Sequence, residues 1–316
     1  MRSQRRRKGL SRRDFLRSAA FAAGGLWLAG CAGLREGRGR EFRFVHYTDS
    51  HIRPEFDVPR AVEMSLAKAK AARPSLMIVG GDLITDGYTS DPATASSRFD
   101  IFLDAAQRCD FPIRYCLGNH DVVAVEPPQG TAKAADPREV FRSKLGLPRT
   151  HFSFDHGGWH FVVLDSMQIE NDRGLKYVGA ISAEQLAWLA KDLEQVGPNA
   201  PIVVVTHIPL LTVFFQREKA ATDPAPADRI VVNAKDVIQL LSRYKTKLVL
   251  QGHLHIFERI EYGGITFITT GAVSGKWWRG PNYGTPEGFG VVTCRADAFQ
   301  YEHQTYGWVA TRPKDK

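Results

Sequence analysis

Residues 113–121 read IRYCLGNHD: a short apolar run, one glycine, and then Asn119, His120 and Asp121. The run from Ile113 to Leu117 predicts a buried β-strand, and the glycine after it permits a tight turn. The polar triplet is therefore expected at the carboxyl end of a strand. Because open α/β sheets form their sites at these ends, this stretch indicates both a fold class and the position of a site.

Four other stretches repeat this arrangement. Each is an apolar run followed by a loop with Asp or His, and together they supply Asp49, His51, Asp82, His207, His253 and His255. Taken singly the motifs are weak, since Asp-x-His recurs by chance and a lone histidine is more often a core or loop residue. Their shared position at strand ends favours five loops that converge on one site.

The residue types in this set indicate a metal site. Carboxylates, an amide oxygen and imidazoles suit Mn, Fe, Zn or Co better than Ca. The absence of cysteine from the set argues against a structural zinc site or an iron–sulfur centre. Seven ligands are too many for one tetrahedral ion, so we expect two divalent or trivalent transition-metal ions (Mn, Fe or Zn) that share a bridging ligand. The other histidines are interpreted as surface or edge-strand residues: His46, His151, His156, His160 and His303.

The rest of the chain indicates an α/β sandwich. Up to about residue 250, apolar runs alternate with helical patterns, as in β-α-β units. One amphipathic helix is predicted over Ser182 to Val196, opened by a capping box of Ser182 and Gln185. After residue 256, short apolar runs with glycine-containing turns predict an antiparallel return. Two sheets covered by helices would accommodate this order.

In order, the motifs Asp-x-His, Gly-Asp, Gly-Asn-His-Asp, His and Gly-His-x-His resemble those of the calcineurin-like metallophosphoesterase superfamily. The resemblance covers residues 42 to about 270. It implies a four-layer α/β/β/α sandwich, with two mixed sheets flanked by helices, in a domain over residues 42–312. It also implies how the ligands divide between the metals: Asp49, His51 and His255 for one, Asn119, His207 and His253 for the other, and Asp82 bridging both.

The same resemblance implies a reaction. His120 would lie over the substrate phosphate and Asp121 would orient it, while a metal-bridging hydroxide attacks phosphorus and His120 protonates the leaving oxygen. Similarity to single-domain bacterial phosphodiesterases of the superfamily favours a phosphodiester substrate. A phosphomonoesterase with the same ligands is the alternative. An exported scaffold without activity is a further one, although intact motifs argue against it.

Two segments are expected to face the substrate. The first runs from Pro209 to Asp228 and is long for a simple connection. The second contains Trp277, Trp278 and Arg279, which could stack on or clamp a base, a sugar or a lipid head group. A hydrophobic cap on the core is the alternative for the tryptophans.

The N-terminus predicts export. Arg12 and Arg13 precede an apolar stretch that ends at Cys31, a pattern typical of a twin-arginine signal peptide over residues 1–30 with a lipobox-like end. We expect the twin-arginine export machinery as a partner, membrane attachment through Cys31, and a periplasmic or membrane-anchored location. An uncleaved anchor helix is the alternative. Residues 31–41 are interpreted as a tether.

The net charge of +8 belongs mainly to this leader. Residues 1–30 carry eight basic residues against the single acid Asp14, whereas the remaining residues carry 34 basic against 33 acidic side chains. The expected folded part therefore offers no electrostatic reason to predict a nucleic-acid partner.

Overall fold

The computed structural model describes residues 41–169 and 173–312. The predicted signal peptide, Cys31 and the tether as far as residue 40 lie outside these residues. Within the described ranges, no helix is both long enough and apolar enough to cross a membrane.

Strands and helices alternate through most of the described chain. The strands are β1 Phe42–Tyr47, β2 Leu76–Val79, β3 Ile113–Tyr115, β4 Phe152–His156, β5 Trp159–Leu164, β6 Met167–Gln168, β7 Val178–Gly179, β8 Ile202–Thr206, β9 Thr246–Gln251, β10 Glu258–Tyr262, β11 Ile265–Thr269, β12 Gly288–Arg295 and β13 Ala298–Thr305. The α-helices are α1 Val58–Ala71, α2 Pro92–Ala106, α3 Glu139–Leu145, α4 Ala183–Val196, α5 Phe214–Glu218 and α6 Ala234–Leu241. A 3₁₀ turn spans Gly87–Thr89.

Two mixed sheets form the centre of the molecule. The first has the order β13-β12-β1-β2-β3 and the second the order β10-β11-β9-β8-β5-β4. Strands β1, β2 and β3 are parallel, as are β5, β8, β9 and β11. The remaining pairs in these sheets are antiparallel. The predicted α/β sandwich, with an antiparallel return late in the chain, is confirmed.

Each central strand buries both of its faces. On β1, Phe44 points into the core between the sheets, whereas Val45 belongs to the core beneath the helices. The core between the sheets also contains Cys116 and Cys294, which are buried and free. Burial on two sides explains why the parallel strands appear in the sequence as continuous apolar runs.

Helix α4 begins as predicted, but half of its predicted capping box is absent. The N–H of Gln185 donates to Ser182 Oγ at 3.1 Å. The side chain of Gln185 does not return this bond, because it donates to the carbonyl of Asp165 and accepts its N–H, both at 2.8 Å. Gln185 therefore anchors the helix to the residue that follows β5.

Two histidines interpreted as surface or edge residues are buried in strands, His46 on β1 and His160 on β5. The Nδ1 atom of His160 lies 2.7 Å from Asp155 Oδ1, and its Nε2 atom lies 3.0 Å from Asp192 Oδ2. A neutral imidazole can donate from one nitrogen, whereas the charged form donates from both. Burial lowers the pKa of His160, but bonding to Asp192 and Asp155 outweighs it and raises the pKa above its usual value.

We expect His160→Gln to destabilise the protein more at pH 6 than at pH 9, by about 1–2 kcal/mol. Because the pKa of His160 is higher in the folded than in the unfolded protein, its protonation stabilises the fold. This contribution is fully present at pH values below the unfolded-state pKa of about 6.5, and it is lost as the pH rises through the folded-state pKa. Urea unfolding at both pH values measures the difference. His156→Gln is the control, because burial lowers the pKa of His156. An equal cost of His160→Gln at both pH values would contradict the expectation.

Candidate metal centre

The seven predicted ligands follow five strands that end on the same side of the molecule. Asp49 follows β1, Asp82 follows β2, Asn119 follows β3 and His207 follows β8. The loop after β9 supplies both His253 and His255. All seven are at most 5% exposed. The convergence expected from the strand-end motifs is present.

These side chains form two adjoining groups, Asp49 with His51 and His255, and Asp82 with His207 and His253. A third group overlaps both and joins His51 and Asp82 to His120. In the first group, His255 Nε2 lies 2.9 Å from His51 Nε2 and 3.3 Å from Asp49 Oδ1. In the second group, Asp82 Oδ2 lies 3.1 Å from His207 Nε2. The same Asp82 oxygen lies 3.6 Å from His51 Nε2 and so links the groups. Asn119 Oδ1, 3.2 Å from His207 Nε2, extends the second group.

Main-chain carbonyls fix the orientation of three of the imidazoles. Nδ1 of His207 lies 3.0 Å from the Gly80 carbonyl, and Nδ1 of His255 lies 2.7 Å from the Gly275 carbonyl. Nε2 of His253 lies 3.0 Å from the Asp228 carbonyl. Since a carbonyl only accepts, these nitrogens carry the protons and the opposite nitrogens present lone pairs. Metal-binding histidines are held in this way.

The atoms that face one another across the centre suit a cation. With its proton on Nδ1, a neutral His207 would direct the lone pair of Nε2 at Asp82 Oδ2 and Asn119 Oδ1, so a proton or another cation is needed between these electron pairs. Nδ1 of His253 is buried and has no hydrogen-bond partner among the described residues. Burial lowers the pKa of His207, yet Asp82 and Asp49 outweigh it and raise the pKa to about 9. A site that attracts a proton against burial would also favour metal ions, so these residues fit the two-metal group.

Five predicted ligands have an uncommon backbone conformation. Their φ values lie between +42° and +70°, which is rare outside glycine: Asp49, His51, Asp82, His253 and His255. Hydrogen bonds between loops support this geometry, with Asp49 N–H donating to the Gly81 carbonyl and His51 N–H to the Asp82 carbonyl, each at 3.0 Å. Strain of this kind is typical of functional sites.

Two glycines allow these loops to approach one another closely. A Cβ atom at Gly118 would overlap the backbone nitrogen and Oδ1 of Asp82. A Cβ atom at Gly252 would overlap Thr48 Oγ1 and lie 2.7 Å from Asp49 Oδ2. The glycines in the Gly-Asn-His-Asp and Gly-His-x-His motifs are therefore required because of space around the carboxylates.

The role predicted for Asp121 is wrong in this structure. Its carboxylate oxygens accept the N–H groups of Gly118 at 2.9 Å and Ile84 at 3.1 Å, so Asp121 supports the loop and does not orient His120. Burial, together with the charge of Asp82, raises the pKa of Asp121 to about 7. The imidazole of His120 instead contacts Asp86.

Asp86 is the site residue that the sequence analysis missed. Its N–H donates to His120 Nδ1 at 3.2 Å, and its Oδ1 atom lies 3.7 Å from the same nitrogen. A neutral His120 therefore carries its proton on Nε2. The sequence did contain a signal, since Asp86 lies four residues after Asp82 in the same loop.

The three residues predicted to contact the substrate lie in different places in the structure. Trp277 lies over the site, with its ring centroid 3.9 Å from that of His51 and 4.8 Å from that of His120. Trp278 is 1% exposed and donates its Nε1–H to the His51 carbonyl at 3.1 Å, so the prediction that it contacts substrate is wrong. Arg279 lines a different cavity, together with Trp308.

Comparison with known proteins places this geometry in a family. The family model for calcineurin-like phosphoesterases matches residues 42–257. A 3′,5′-cyclic-nucleotide phosphodiesterase from Nostoc is 32% identical over 57% of this chain and 55% of its own length. Purple acid phosphatase 15 from Arabidopsis thaliana is 30% identical over 47% of this chain. The match spans about half of the Nostoc protein and 25% of the plant enzyme.

A solved structure shares the fold. The dimetal phosphatase from Danio rerio superposes with a TM-score of 0.59 and 14% identity, over 84% of this chain and 99% of that chain. At this identity the likeness establishes the fold alone, and it agrees with the two sheets and flanking helices described above. The resemblance seen in the ordered motifs is confirmed. The chain belongs to the calcineurin-like phosphoesterase family, whose enzymes are hydrolases acting on phosphate esters.

Proposed function

We propose that the chain hydrolyses a phosphodiester at a two-metal centre, with Asp49, His51 and His255 on one metal, Asn119, His207 and His253 on the other, and Asp82 shared. Water adds across one P–O bond, giving a phosphate monoester and an alcohol. The single observation that carries the proposal is the pair of adjoining ligand groups joined through Asp82 Oδ2. When bound, the metals would supply Lewis acidity toward the phosphoryl oxygens and toward the attacking water.

A residue of the chain itself, His120, would stabilise the leaving group. His120 is 21% exposed at the side chain and lies beside His51 and Trp277. Burial lowers the pKa of His120 below its usual value, so the imidazole is neutral near pH 7. Its Nε2–H would then donate a hydrogen bond that stabilises the negative charge developing on the leaving oxygen, while the Asp86 N–H holds Nδ1.

The surroundings of His120 favour a diester over a monoester. Its neighbours are the aromatic ring of Trp277 and the carboxylate of Asp86. A doubly charged monoester would be repelled by Asp86 more strongly than a singly charged diester. The name of the Nostoc relative gives independent support for a diester, whereas that of the plant relative keeps phosphomonoesterase as the alternative.

Hydrolysis of two chromogenic esters tests the proposal. The purified protein, stripped by a chelator and reloaded with Mn, Zn or Fe, is expected to release p-nitrophenolate from bis(p-nitrophenyl) phosphate faster than from p-nitrophenyl phosphate. Turnover should require metal, because the ligand carboxylates and imidazoles do not themselves activate water strongly. Turnover of the monoester alone would replace the diester assignment with a phosphatase. Absence of turnover of either ester from protein that holds two metals would indicate a narrow natural substrate or the scaffold.

We further propose export through the twin-arginine machinery and lipidation of Cys31. Support comes from residues 12–31, where two arginines precede an apolar stretch and a cysteine. Replacing both Arg12 and Arg13 with lysine should leave the protein in the cytoplasm of an expressing bacterium. Cell fractionation and lipid labelling of a Cys31→Ala variant would test the location and the anchor separately.

A further inference from the structure

A cavity of about 480 Å³ adjoins the proposed metal centre. It is lined by two ligands, His253 and His255, and by Trp277, which also covers His51. Small-molecule sites usually measure about 300–1,000 Å³, so the cavity has room for an organic group attached to the phosphate. Because it shares residues with the metal centre, it is the place for part of the substrate.

Aromatic side chains form much of the wall. Phe214 and Phe215, on α5, pack with Leu254 in a small separate core. Leu254 lies between the two ligand histidines, so this core is attached to the loop that holds them. The ring of Phe214 lies 5.0 Å from that of Tyr283, edge to face. Tyr283 is 61% exposed, which leaves most of its ring available to a ligand.

Tyr283 is held at the cavity by its neighbour. The side chain of Asn282 donates to the carbonyls of Leu254 at 3.2 Å and His255 at 3.1 Å. Asn282 and Thr285 exchange backbone hydrogen bonds, which closes a tight turn around Tyr283. Tyr283 itself has a φ of +46°, an uncommon conformation for an aromatic residue. An exposed, strained aromatic residue fixed to the ligand loop is typical of a recognition group.

The charges around the cavity favour an anion. Lys219 and Arg229 line it, and so does one acid, Glu218, which is paired with Arg217 at 2.8 Å. Arg229 Nε lies 3.9 Å from Asp228 Oδ2, whereas Lys219 Nζ lies 6.0 Å from the centroid of Phe215. A lysine beside an aromatic ring suits a substrate that joins a flat ring to a phosphate.

His120 indicates which part of a diester would occupy the cavity. It does not line the cavity, whereas Trp277, 4.8 Å away between ring centroids, does. If His120 donates to the leaving oxygen, the cavity is left for the ester arm that stays on phosphorus. We propose that this cavity binds a planar aromatic group on the retained arm, as a nucleobase would provide, with Tyr283 as a specificity-determining residue. This inference rests on the proposed function.

Three diesters with a common leaving group test the proposal. Each releases p-nitrophenolate, and the retained arms are methyl, n-octyl and thymidine 5′. For the metal-loaded full chain we expect kcat/KM to be highest with the thymidine ester. Tyr283→Ala should lower kcat/KM for that ester about 10-fold, because loss of one stacking ring typically has an effect of this order. The methyl ester should change less than about twofold, since a surface substitution without a lost contact has little effect.

Two further variants act as controls. Tyr283→Phe keeps the ring and should keep the preference. Tyr262→Ala removes a second tyrosine that is also 61% exposed but lies on β10 and does not line the cavity, and it should change none of the three rates. Equal losses for all esters in Tyr283→Ala, or a preference for the octyl arm, would overturn the proposal.

Binding separates this inference from the proposed function. Thymidine 5′-monophosphate is the product that the retained arm would form, and calorimetry measures its affinity without turnover. We expect Tyr283→Ala to weaken its binding about 10-fold, while the affinity for methyl phosphate stays unchanged. If no ester is hydrolysed, the proposed function fails and this binding still decides the role of the cavity. Nucleotide binding that is indifferent to Tyr283→Ala overturns the inference even in an active enzyme.

Discussion

Replacing Asp82 with asparagine is expected to remove metal from the centre and to lower kcat/KM for a phosphodiester about 10³-fold. Bound metals stabilise the transition state by several kcal/mol, and each 1.36 kcal/mol corresponds to about a factor of ten in rate. Asp82 is 1% exposed, and its Oδ2 atom lies within reach of both ligand groups. Burial alone would raise its pKa, but His207 and His120 hold the pKa of this carboxyl well below its usual range. The side chain is therefore a charged carboxylate enclosed by protein, as the proposed role of a shared metal ligand requires.

The asparagine keeps the shape and loses the charge. Oδ1 of Asp82 accepts the N–H of His120 at 2.8 Å, and an amide oxygen can replace it there. A change in fold is thus not expected, and metal content per chain, measured by mass spectrometry beside the rate, reports the ligand role directly. Asp165→Asn is the matched control, because Asp165 is also buried but pairs with Arg138 at 2.7 Å outside the centre. An Asp82→Asn protein that retained two metals and full turnover would exclude the shared-ligand role.

The position of the centre was predictable because strand ends can be recognised from sequence. The strands β1 and β2, Phe42–Tyr47 and Leu76–Val79, coincide with strand-like stretches of the sequence that stop directly before their polar loops. Parallel neighbours in a sheet end on the same side, so ligands that follow β1, β2 and β3 must be close together. The order of the motifs along the chain indicated the family and, through it, the expected division of the ligands between the two metals.

Contacts between side chains were less predictable. Asp121 is adjacent to His120 in sequence, but its carboxylate faces Gly118 and Ile84, while Asp86 reaches the imidazole from another loop. The sequence also does not show which of the two tryptophans is buried. Both have positive φ, +54° for Trp277 and +66° for Trp278, and Trp278 is the buried one.

The polar strand β13 and the short helices α3 and α5 were also missed. Strand β13 alternates exposed and half-buried residues and pairs with β12 at the edge of its sheet, so it lacks the continuous apolar run of a central strand. His46 was missed for a different reason, because it is a polar residue buried in the central strand β1. Its Nδ1 atom lies 2.8 Å from Thr270 Oγ1, a partner 224 residues away in the chain that local sequence does not reveal.

Replacing His120 with alanine is expected to lower kcat about 10²- to 10³-fold, the usual contribution of a positioned hydrogen-bond donor to a developing oxyanion, while metal content stays unchanged. His120 is not expected to be a ligand, because its Nδ1 atom accepts the Asp86 N–H and its Nε2–H is the free donor. The loss should depend on the leaving group. A phenolate that departs without protonation needs His120 least, so a plot of log kcat against leaving-group pKa should be steeper in the variant than in the wild type.

Asp86→Ala distinguishes donation by His120 from a purely structural role. Removal of this carboxylate leaves the Asp86 N–H bond to Nδ1 intact and takes away a negative charge 3.7 Å from that atom. We expect kcat to fall about 10-fold, the low end of the range for partners that orient a functional group, because the bond that orients the imidazole remains, with an intermediate leaving-group slope. If His120 were a ligand or a packing residue, both variants would lose metal or stability and the slope would not change. A steeper slope with full metal content therefore requires that His120 donates a hydrogen bond to the leaving oxygen.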